Sequence, residues 1–320
     1  MSDIIKINSW IVLPVFNDYA SLGQLLTNIN NLVMNYNFKI VIVDDASNMQ
    51  TPEMDEYKKY ICKKSIVSID LLNLSTNQGN QKAIARGLKF AYDEASNSDF
   101  FIIMDSDGED SPSSIPLLFD AMETDCIVVA KRTRQKRNLI LSFWHIIFKT
   151  TFRLLIGKTI NFGNFSLLKY NECRQVVSNQ RLVTSYIGTV LRSGIAIKRV
   201  PIKRGKRYEG KSRTSYDGLF AVGFQILTVY SDKIFVRLLR IVAICIVVLG
   251  IGIVTVLLLK LFTARAISGW AGTMLAIFTT SLVQLIVLLS GLIMIQINTK
   301  SESKQKENLV SVHRIGQSGN

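Results

Sequence analysis

The sequence predicts an α/β domain built on a mostly parallel sheet and followed by two C-terminal transmembrane helices. Short apolar runs without polar alternation recur through residues 1–233 of the 320-residue chain, as in strands that are covered on both faces. Segments with helical spacing of apolar residues separate these runs, and such alternation is typical of a doubly wound core. Beyond Leu238 the chain is almost continuously apolar over lengths that can cross a bilayer.

The predicted strands and helices follow one another in a regular order. The first strand, Trp10–Phe16, precedes a helix at Tyr19–Met34 that places Leu22, Leu25 and Ile29 on one face. The later elements are strands at Phe38–Val43, Val67–Leu74, Phe100–Met104 and Cys126–Ala130 and a helix at Gln81–Ala95.

Two charge-free segments, Ile241–Leu259 and Ala266–Thr299, are each long enough to span a membrane. Basic residues flank the pair on both outer sides, so the positive-inside rule places both termini in the cytoplasm and the protein in the inner membrane. No secretory signal is evident at the amino end. We therefore expect a cytoplasmic catalytic domain at 1–233, a transmembrane hairpin at 234–299 and a basic cytoplasmic tail at 300–320.

Three predicted strands end in polar residues, at Pro14–Asp18, Asp44–Ser47 and Asp105–Asp110. In open α/β sheets, ligands bind outside the carboxyl ends of the strands, and parallel strands bring these ends to one edge. Asn, Asp and Ser are also common turn and cap residues, which would explain any single cluster. Three clusters at one edge favour a binding site.

Asp105 and Asp107 lie two residues apart, on the same side of an extended chain. Close carboxylates repel each other unless a basic side chain or a hard cation lies between them, and Mg²⁺ uses one or two carboxylates together with phosphates and waters. An EF-hand is excluded because its sixth and twelfth positions would be Asp110 and Pro116. Walker and GxGxxG loops are absent, and the scattered cysteines and two histidines argue against a zinc site or a disulfide framework.

The chain is basic, with a formal charge of +14, and its positive charge is concentrated in two runs. One run lies between Asp125 and Glu172 and the other at Arg192–Arg213. Next to membrane spans, Lys and Arg attract anionic headgroups, and an amphipathic helix with aromatic residues suits the interface. We therefore expect interfacial helices at about 138–157 and 214–232, and no nucleic-acid partner.

The motifs LPVFND, VDDAS and MDSDGED, with the spaced pattern Asn77, Gly79, Ala83, Gly87 and Ala91, resemble the GT-A glycosyltransferases of family 2. The two C-terminal spans make the chain similar to the polyprenyl-phosphate glycosyltransferases, the group of the dolichyl-phosphate mannosyltransferase and bactoprenol glucosyltransferase type. The resemblance covers about residues 9–297. It implies a Rossmann-like GT-A domain and a metal-dependent, inverting transfer of a hexose from a UDP- or GDP-linked sugar to undecaprenyl or dolichyl phosphate.

The resemblance also implies roles for residues of the donor site. Asp105 and Asp107 would hold Mg²⁺ or Mn²⁺ on the diphosphate, with Glu109 as a third ligand where the family often has Gln. Gly108 and Ser111 depart from the family pattern, and Asp110 is open between metal ligand and helix cap. Asp45 is favoured over Asp44 for the base contact. The residues expected to bind the nucleotide-sugar are Pro14, Phe16, Asp18, Asp44, Asp45, Asn77, Gly79 and Ser106.

On the acceptor side, the resemblance assigns the lipid phosphate to basic residues. Arg132, just after the fifth strand, is expected to be catalytic through contact with this phosphate, together with Lys149 or Arg153. Arg207, Lys211 and Ser212 form the late R-x-x-G-x-S motif and would contact phosphates. Asn164–Leu168 matches a sheet segment beneath the acceptor site. A phosphate with a second pKa near 6 is largely anionic at neutral pH, so no general base is required.

Three alternatives stay open at this point. A processive synthase usually carries QxxRW, which is absent here, and a transferase with a hydroxyl acceptor needs a base, for which no second carboxylate after Asp125 is compelling. A non-catalytic membrane protein that binds nucleotide-sugars belongs to another class. The expected partners are a nucleotide-sugar donor, a polyprenyl-phosphate acceptor and the bilayer, and a homo-oligomer is compatible with the sequence.

Overall fold

The computed structural model describes residues 6–32, 36–49, 52, 54–61, 65–132, 150, 152–154, 156–160, 162–209, 216–262, 270–302 and 311–316. The chain divides into two compact units. The first, which we call the sheet domain, comprises residues 1–149, 159–229 and 308–320. The second, the helical unit, comprises residues 150–158 and 230–307.

Eight strands form one sheet among the described residues, in the order β7-β5-β6-β4-β1-β2-β3-β8. Strand β1 pairs in parallel with β2 and β4, β2 with β3, and β5 with β7, whereas β6 and β8 run antiparallel to their neighbours. The predicted mostly parallel α/β sheet is therefore confirmed. The strands are β1 Ile7–Val15, β2 Tyr36–Asp44, β3 Ile66–Asn73, β4 Phe100–Ile103, β5 Cys126–Arg132, β6 Ser166–Lys169, β7 Ala196–Ile202 and β8 Ser311–Gly316.

Helices of the sheet domain connect these strands. They are α1 Tyr19–Asn30, α2 Met54–Lys58, α3 Asn80–Asp93, α4 Ile115–Asp120, α5 Tyr170–Val177, α6 Tyr186–Ser193 and α7 Tyr216–Val229. Helix α1 buries Leu22, Leu25 and Ile29, as its periodicity predicts. Helix α3 lies close to the sheet at Gly87, where an added Cβ would lie 2.6 Å from both Val12 Cγ1 and Val43 Cγ2. The glycine therefore sets how near this helix lies to β1 and β2.

Strand β7 forms one edge of the sheet and accounts for part of a run that the sequence analysis interpreted only as basic. Its residues are mostly half-buried or exposed, and Pro201 lies within it. Proline cannot donate to a ladder and is tolerated on edge strands, so its position fits this edge. Lys198 and Arg199 thus belong to a strand, and the basic composition of this run gives no sign of that strand.

Strand β8 lies at the opposite edge and comes from the segment that the sequence analysis treated as a basic tail. It pairs antiparallel with β3, from Ser68↔Gly316 to Asn73↔Ser311. Arg314 Nε donates to Asp70 Oδ1 at 2.8 Å, and Arg314 Nη2 lies 2.9 Å from Glu94 Oε2. A tail that follows the apolar helices therefore completes the sheet and covers the edge of β3.

The helical unit contains two long apolar helices, α8 Ser231–Phe262 and α9 Trp270–Glu302. Both meet the length and composition of membrane spans, α9 over Trp270–Gly291. Their apolar side chains are largely exposed, including Ile251 and Val287. The helices contact each other near Gly252, where an added Cβ would lie 3.0 Å from the Phe278 ring. The two candidate membrane helices that the sequence predicts are thus confirmed.

Candidate active site

The three polar clusters at the strand ends lie at one edge of the sheet. Strand β1 lies between β2 and β4 and is parallel to both, so the ends of the three strands are adjacent. Ser106 Oγ, after β4, donates to the carbonyl oxygen of Pro14 at 2.9 Å, and Ser47 Oγ, after β2, accepts from Asn17 N at 2.8 Å. The common edge predicted for Pro14–Asp18, Asp44–Ser47 and Asp105–Asp110 is therefore present.

Asp45 joins the end of β2 to the loop before α3. Its carboxylate oxygens accept from Gln78 N and Gly79 N, each at 2.7 Å. Burial raises the pKa of Asp45, and these two backbone N–H groups partly offset the rise. Gly79 has a φ of +87°, which favours glycine, so the chain turns here into α3. Asn77 and Gly79, expected in the nucleotide pocket, are thereby placed beside Asp45.

Asp44 and Asn17 brace the neighbouring loops. Asp44 Oδ1 accepts from Ser47 N at 3.1 Å, and Asn17 Oδ1 accepts from Asn48 N at 2.8 Å. Asn17 itself has a φ of +51°, an uncommon conformation that Asn tolerates better than most residues. The expected pocket residue Phe16 is exposed beside this turn. Asn17 and Ser47 therefore shape the edge, although the sequence analysis gave neither of them a separate role.

Asp105, at the start of the acidic loop of residues 105–110, is held by side-chain amides. Its Oδ1 accepts from Asn164 Nδ2 at 3.2 Å and from Asn80 Nδ2 at 3.4 Å. Asp110 is buried, and its Oδ2 accepts from Asp105 N at 3.0 Å. The carboxylate of Asp110 closes the acidic loop. Asp110 therefore has a structural role in addition to the two alternatives that the sequence left open, metal ligand and helix cap.

A basic segment of residues 203–209, which we call the basic strap, packs on the acidic loop. Gly205 N donates to Glu109 O at 2.8 Å and Tyr208 N to Asp107 O at 3.0 Å. Gly205 is required for this packing, because an added Cβ would lie 2.3 Å from the carbonyl oxygen of Gly108. Asn28 Nδ2 donates to Tyr208 Oη at 2.7 Å and ties the strap to α1.

The strap brings two guanidinium groups to the acidic loop. Arg207 forms an ion pair with Asp107 and Arg204 forms one with Glu109. Arg207 Nε also lies 3.9 Å from Glu109 Oε1. The Asp107 and Glu109 carboxylates therefore have positive partners from the chain itself, which is one of the two solutions expected for the repulsion in this loop. The family resemblance implies a phosphate contact for Arg207, whereas no role for Arg204 is predicted from the sequence.

The acidic loop fits a divalent cation only in part. No group of three His, Cys, Asp or Glu side chains converges as a metal cluster in the part of the chain that the structure describes. The predicted set of Asp105, Asp107 and Glu109 is thus not gathered as three ligands; Glu109 pairs with Arg204 and Asp107 with Arg207. Carboxylate oxygens are the donors that Mg²⁺ prefers, and one or two of them suffice when substrate phosphates and waters complete the shell. Asp105 and Asp107 fit that requirement.

Several residues expected at the acceptor site are not available for description. Lys149, Lys211 and Ser212 lie outside the described residues, as does most of the expected interfacial helix at 138–157. Arg132 is the last residue of β5, and its side chain is also outside the described part. Arg153 belongs to the helical unit and is exposed. The segment expected at 214–232 contains helix α7, whose last carbonyl oxygen, on Val229, accepts from Arg192 Nη1 at 3.0 Å.

Comparisons with known proteins agree on one family. The model of glycosyl transferase family 2 matches residues 10–178, more than half of the chain. Dolichol-phosphate mannosyltransferase of Pyrococcus furiosus is 28% identical over 169 residues, which are 52% of this chain and 44% of that protein, so the match spans less than half of that relative. Undecaprenyl-phosphate 4-deoxy-4-formamido-L-arabinose transferase of Aeromonas hydrophila is 25% identical over 82% of this chain and 78% of that protein.

Among solved structures, glucosyl-3-phosphoglycerate synthase of Mycobacterium tuberculosis, in complex with Mn²⁺, UDP and glucosyl-3-phosphoglycerate, aligns with a TM-score of 0.48. The alignment has 15% sequence identity and covers 71% of this chain and 80% of that one.

Proposed function

The chain belongs to glycosyl transferase family 2 and is a glycosyltransferase, and we propose that it transfers a hexose from a UDP- or GDP-linked sugar to polyprenyl phosphate, with inversion. One observation carries this proposal: the Asp105 and Asp107 carboxylates lie at the same sheet edge as Asp45, in a chain with two helices able to span a membrane. These two features support a nucleotide-sugar donor and a lipid acceptor for the same chain.

For the donor, we propose that Asp105 and Asp107 bind Mg²⁺ or Mn²⁺, with Glu109 as a third ligand once Arg204 has left it. When bound, the ion would neutralise charge on the departing nucleoside diphosphate. Arg207 pairs with Asp107 and would exchange this carboxylate for a phosphate oxygen of the donor. Asp45 and the loop of Asn77 and Gly79 would hold the nucleoside, with Pro14, Phe16, Asp18, Asp44 and Ser106 around it.

For the acceptor, we propose a polyprenyl phosphate, the substrate class in the names of the two relatives. A phosphate oxygen that is already anionic needs no general base, so the protein must mainly align it with the donor and offset the repulsion between two anions. Arg132, with Lys149 or Arg153 and with Lys211 and Ser212, is assigned to that task. The acceptor phosphate would thus be bound by cationic side chains.

The fold supports the proposed topology. Strand β8 follows both apolar helices in sequence and pairs with β3 of the sheet domain. This pairing supports the proposal that the chain before α8 and the chain after α9 lie on the same side of the membrane and that the two helices cross it as a pair. The basic flanks favour the cytoplasmic side for the sheet and both termini.

The test of this function uses membranes that contain the full-length protein. They are incubated with radiolabelled UDP- or GDP-sugars, a polyprenyl phosphate, and Mg²⁺ or Mn²⁺, and label in the organic extract is counted. We expect metal-dependent label that Asp107→Asn lowers on the order of 100-fold or more, since a metal supplies several kcal/mol and each 1.4 kcal/mol is tenfold. Asp120→Asn, an exposed carboxylate on α4, is the control. Unchanged transfer by Asp107→Asn would refute the site, and no label with any donor would refute the function.

A further inference from the structure

We propose that Asn164 and Gln81 are positioning residues that hold the Asp105 carboxylate for a divalent cation, an inference that rests on the proposed function. Asn164 Nδ2 donates to Asp105 Oδ1 at 3.2 Å, and Asn164 Oδ1 accepts from Gln81 Nε2 at 3.1 Å. Gln81 is 6% exposed and Asn164 is 9% exposed. The two amides form a relay that ends on the carboxylate.

The start of the relay fixes its direction. Gln81 Oε1 accepts from Tyr186 N at 2.8 Å. A backbone N–H can only donate, and Tyr186 is the first residue of α6, where N–H groups have no partner within the helix. Oε1 of Gln81 must therefore face Tyr186, and its NH₂ group must face Asn164.

The same logic continues to the carboxylate. Because Gln81 donates an N–H group, Asn164 must accept it with its side-chain carbonyl oxygen. The NH₂ group of Asn164 then points to Asp105. Asp105 thus always receives a donor from Asn164. One backbone N–H therefore sets the orientation of a carboxylate two side chains away.

Two buried groups, Ser166 and Tyr186, anchor the relay. Ser166 Oγ, at the start of β6, donates to the carbonyl oxygen of Asn164 at 2.7 Å and lies 2.6 Å from Tyr186 Oη. Ser166 and Tyr186 are fully buried. The backbone and the side chain of Asn164 are therefore both held from α6, so the position of Asp105 depends on how α6 packs beneath the site.

Asp105 and Asp107 differ in the groups that contact their carboxylates. Asp107 pairs with Arg207 from the strap, and its Oδ1 accepts from Glu109 N at 2.9 Å within the loop. Asp105 Oδ1 accepts from the side-chain amides of Asn164 and Asn80, which are neutral groups. Partners of metal ligands outside the metal's own coordination shell typically change its affinity 10–100-fold when they are lost.

The experiment measures Mn²⁺ affinity directly, by electron paramagnetic resonance titration of the purified full-length protein with UDP or with GDP present. We expect Asn164→Leu to weaken Mn²⁺ binding by about 10–100-fold. Gln81→Met, which does not touch Asp105, should weaken it in the same direction by a smaller factor, because Asn164 is then free to rotate. Gln24→Met, an exposed glutamine on α1, is the matched control and should bind as the wild type does.

Thermal unfolding of each variant separates positioning from folding. Lower melting temperatures with unchanged Mn²⁺ affinity in both relay variants would overturn the proposal and leave the proposed function intact. Asp105→Asn tests the proposed function itself: if it binds Mn²⁺ as tightly as the wild type, or if the wild type binds none with either nucleotide, both the metal assignment and the relay are refuted.

Discussion

The packing of the basic strap on the acidic loop leads to a prediction for Gly205→Ala. The new Cβ would lie 2.3 Å from Gly108 O, whereas Cβ contacts below 3.0 Å essentially do not occur. The obstacle is backbone, which cannot rotate away, so the strap must lift. Lifting removes the hydrogen bonds from Gly205 N to Glu109 O and from Tyr208 N to Asp107 O. At about 1 kcal/mol each, their loss raises the open population of the strap by about 30-fold.

Limited trypsin digestion of the full-length protein measures this opening. The strap contains cleavage sites at Lys203, Arg204, Lys206 and Arg207. Cleavage follows the population of the open form when opening and closing are fast, so the rate at these sites should rise about 30-fold. Gly272→Ala is the control, because it adds a Cβ to a glycine with no atom within 4 Å, and Gly272 lies outside the strap. Equal strap cleavage in the two variants would refute the reasoning.

Three further predictions concern stability. Gly87→Ala should lower the free energy of unfolding by about 1–3 kcal/mol, because the new Cβ overpacks against Val12 and Val43. The control is Gly272→Ala, whose Cβ meets no atom within 4 Å. Equal melting temperatures for the two variants would contradict the prediction. Asp45→Asn should lower the free energy of unfolding by about 1–3 kcal/mol, because the new NH₂ group faces one of the two N–H donors from Gln78 and Gly79. Chemical denaturation measures this change, and an unchanged free energy of unfolding would refute the prediction. Burial raises the pKa of Asp70 from 3.8, against the effect of Arg314, so the folded state binds this proton more tightly and unfolding free energy should fall as pH rises through the raised value. Asp70→Asn should remove that component. The prediction is excluded if the melting temperatures of wild type and variant depend on pH in the same way as pH rises above 3.8.

Much of the fold follows from local patterns in the sequence. Unalternating apolar runs identify β1, β2 and β4 because buried parallel strands leave no polar face, and the helical spacing of Leu22, Leu25 and Ile29 identifies α1. The edge that gathers Asp45 and Asp105 also follows, since parallel strands place their carboxyl ends together. Length and composition alone are enough to predict the two long apolar helices.

The local patterns are weaker where an element is exposed or far from its partner. Strand β7 has a mixed burial pattern and a basic composition, so its side chains give no period of two. Strand β8 is short and pairs with β3, more than 200 residues earlier, as the ion pair of Arg314 and Asp70 shows with its separation of 244 residues. Pairing at such distances depends on the whole chain path and leaves no local signal.

The sequence by itself determined which residues carry charge to the site, whereas only the tertiary structure decided which of them meet. Arg204 and Glu109 are 95 residues apart, and Asn164 and Asp105 are 59 apart. They come together because β6 runs antiparallel between β4 and β5 and because the strap returns over the end of β4. Hydrogen bonds and ion pairs act over a few ångströms and require defined directions, so composition can nominate the partners but only the packed chain can select them.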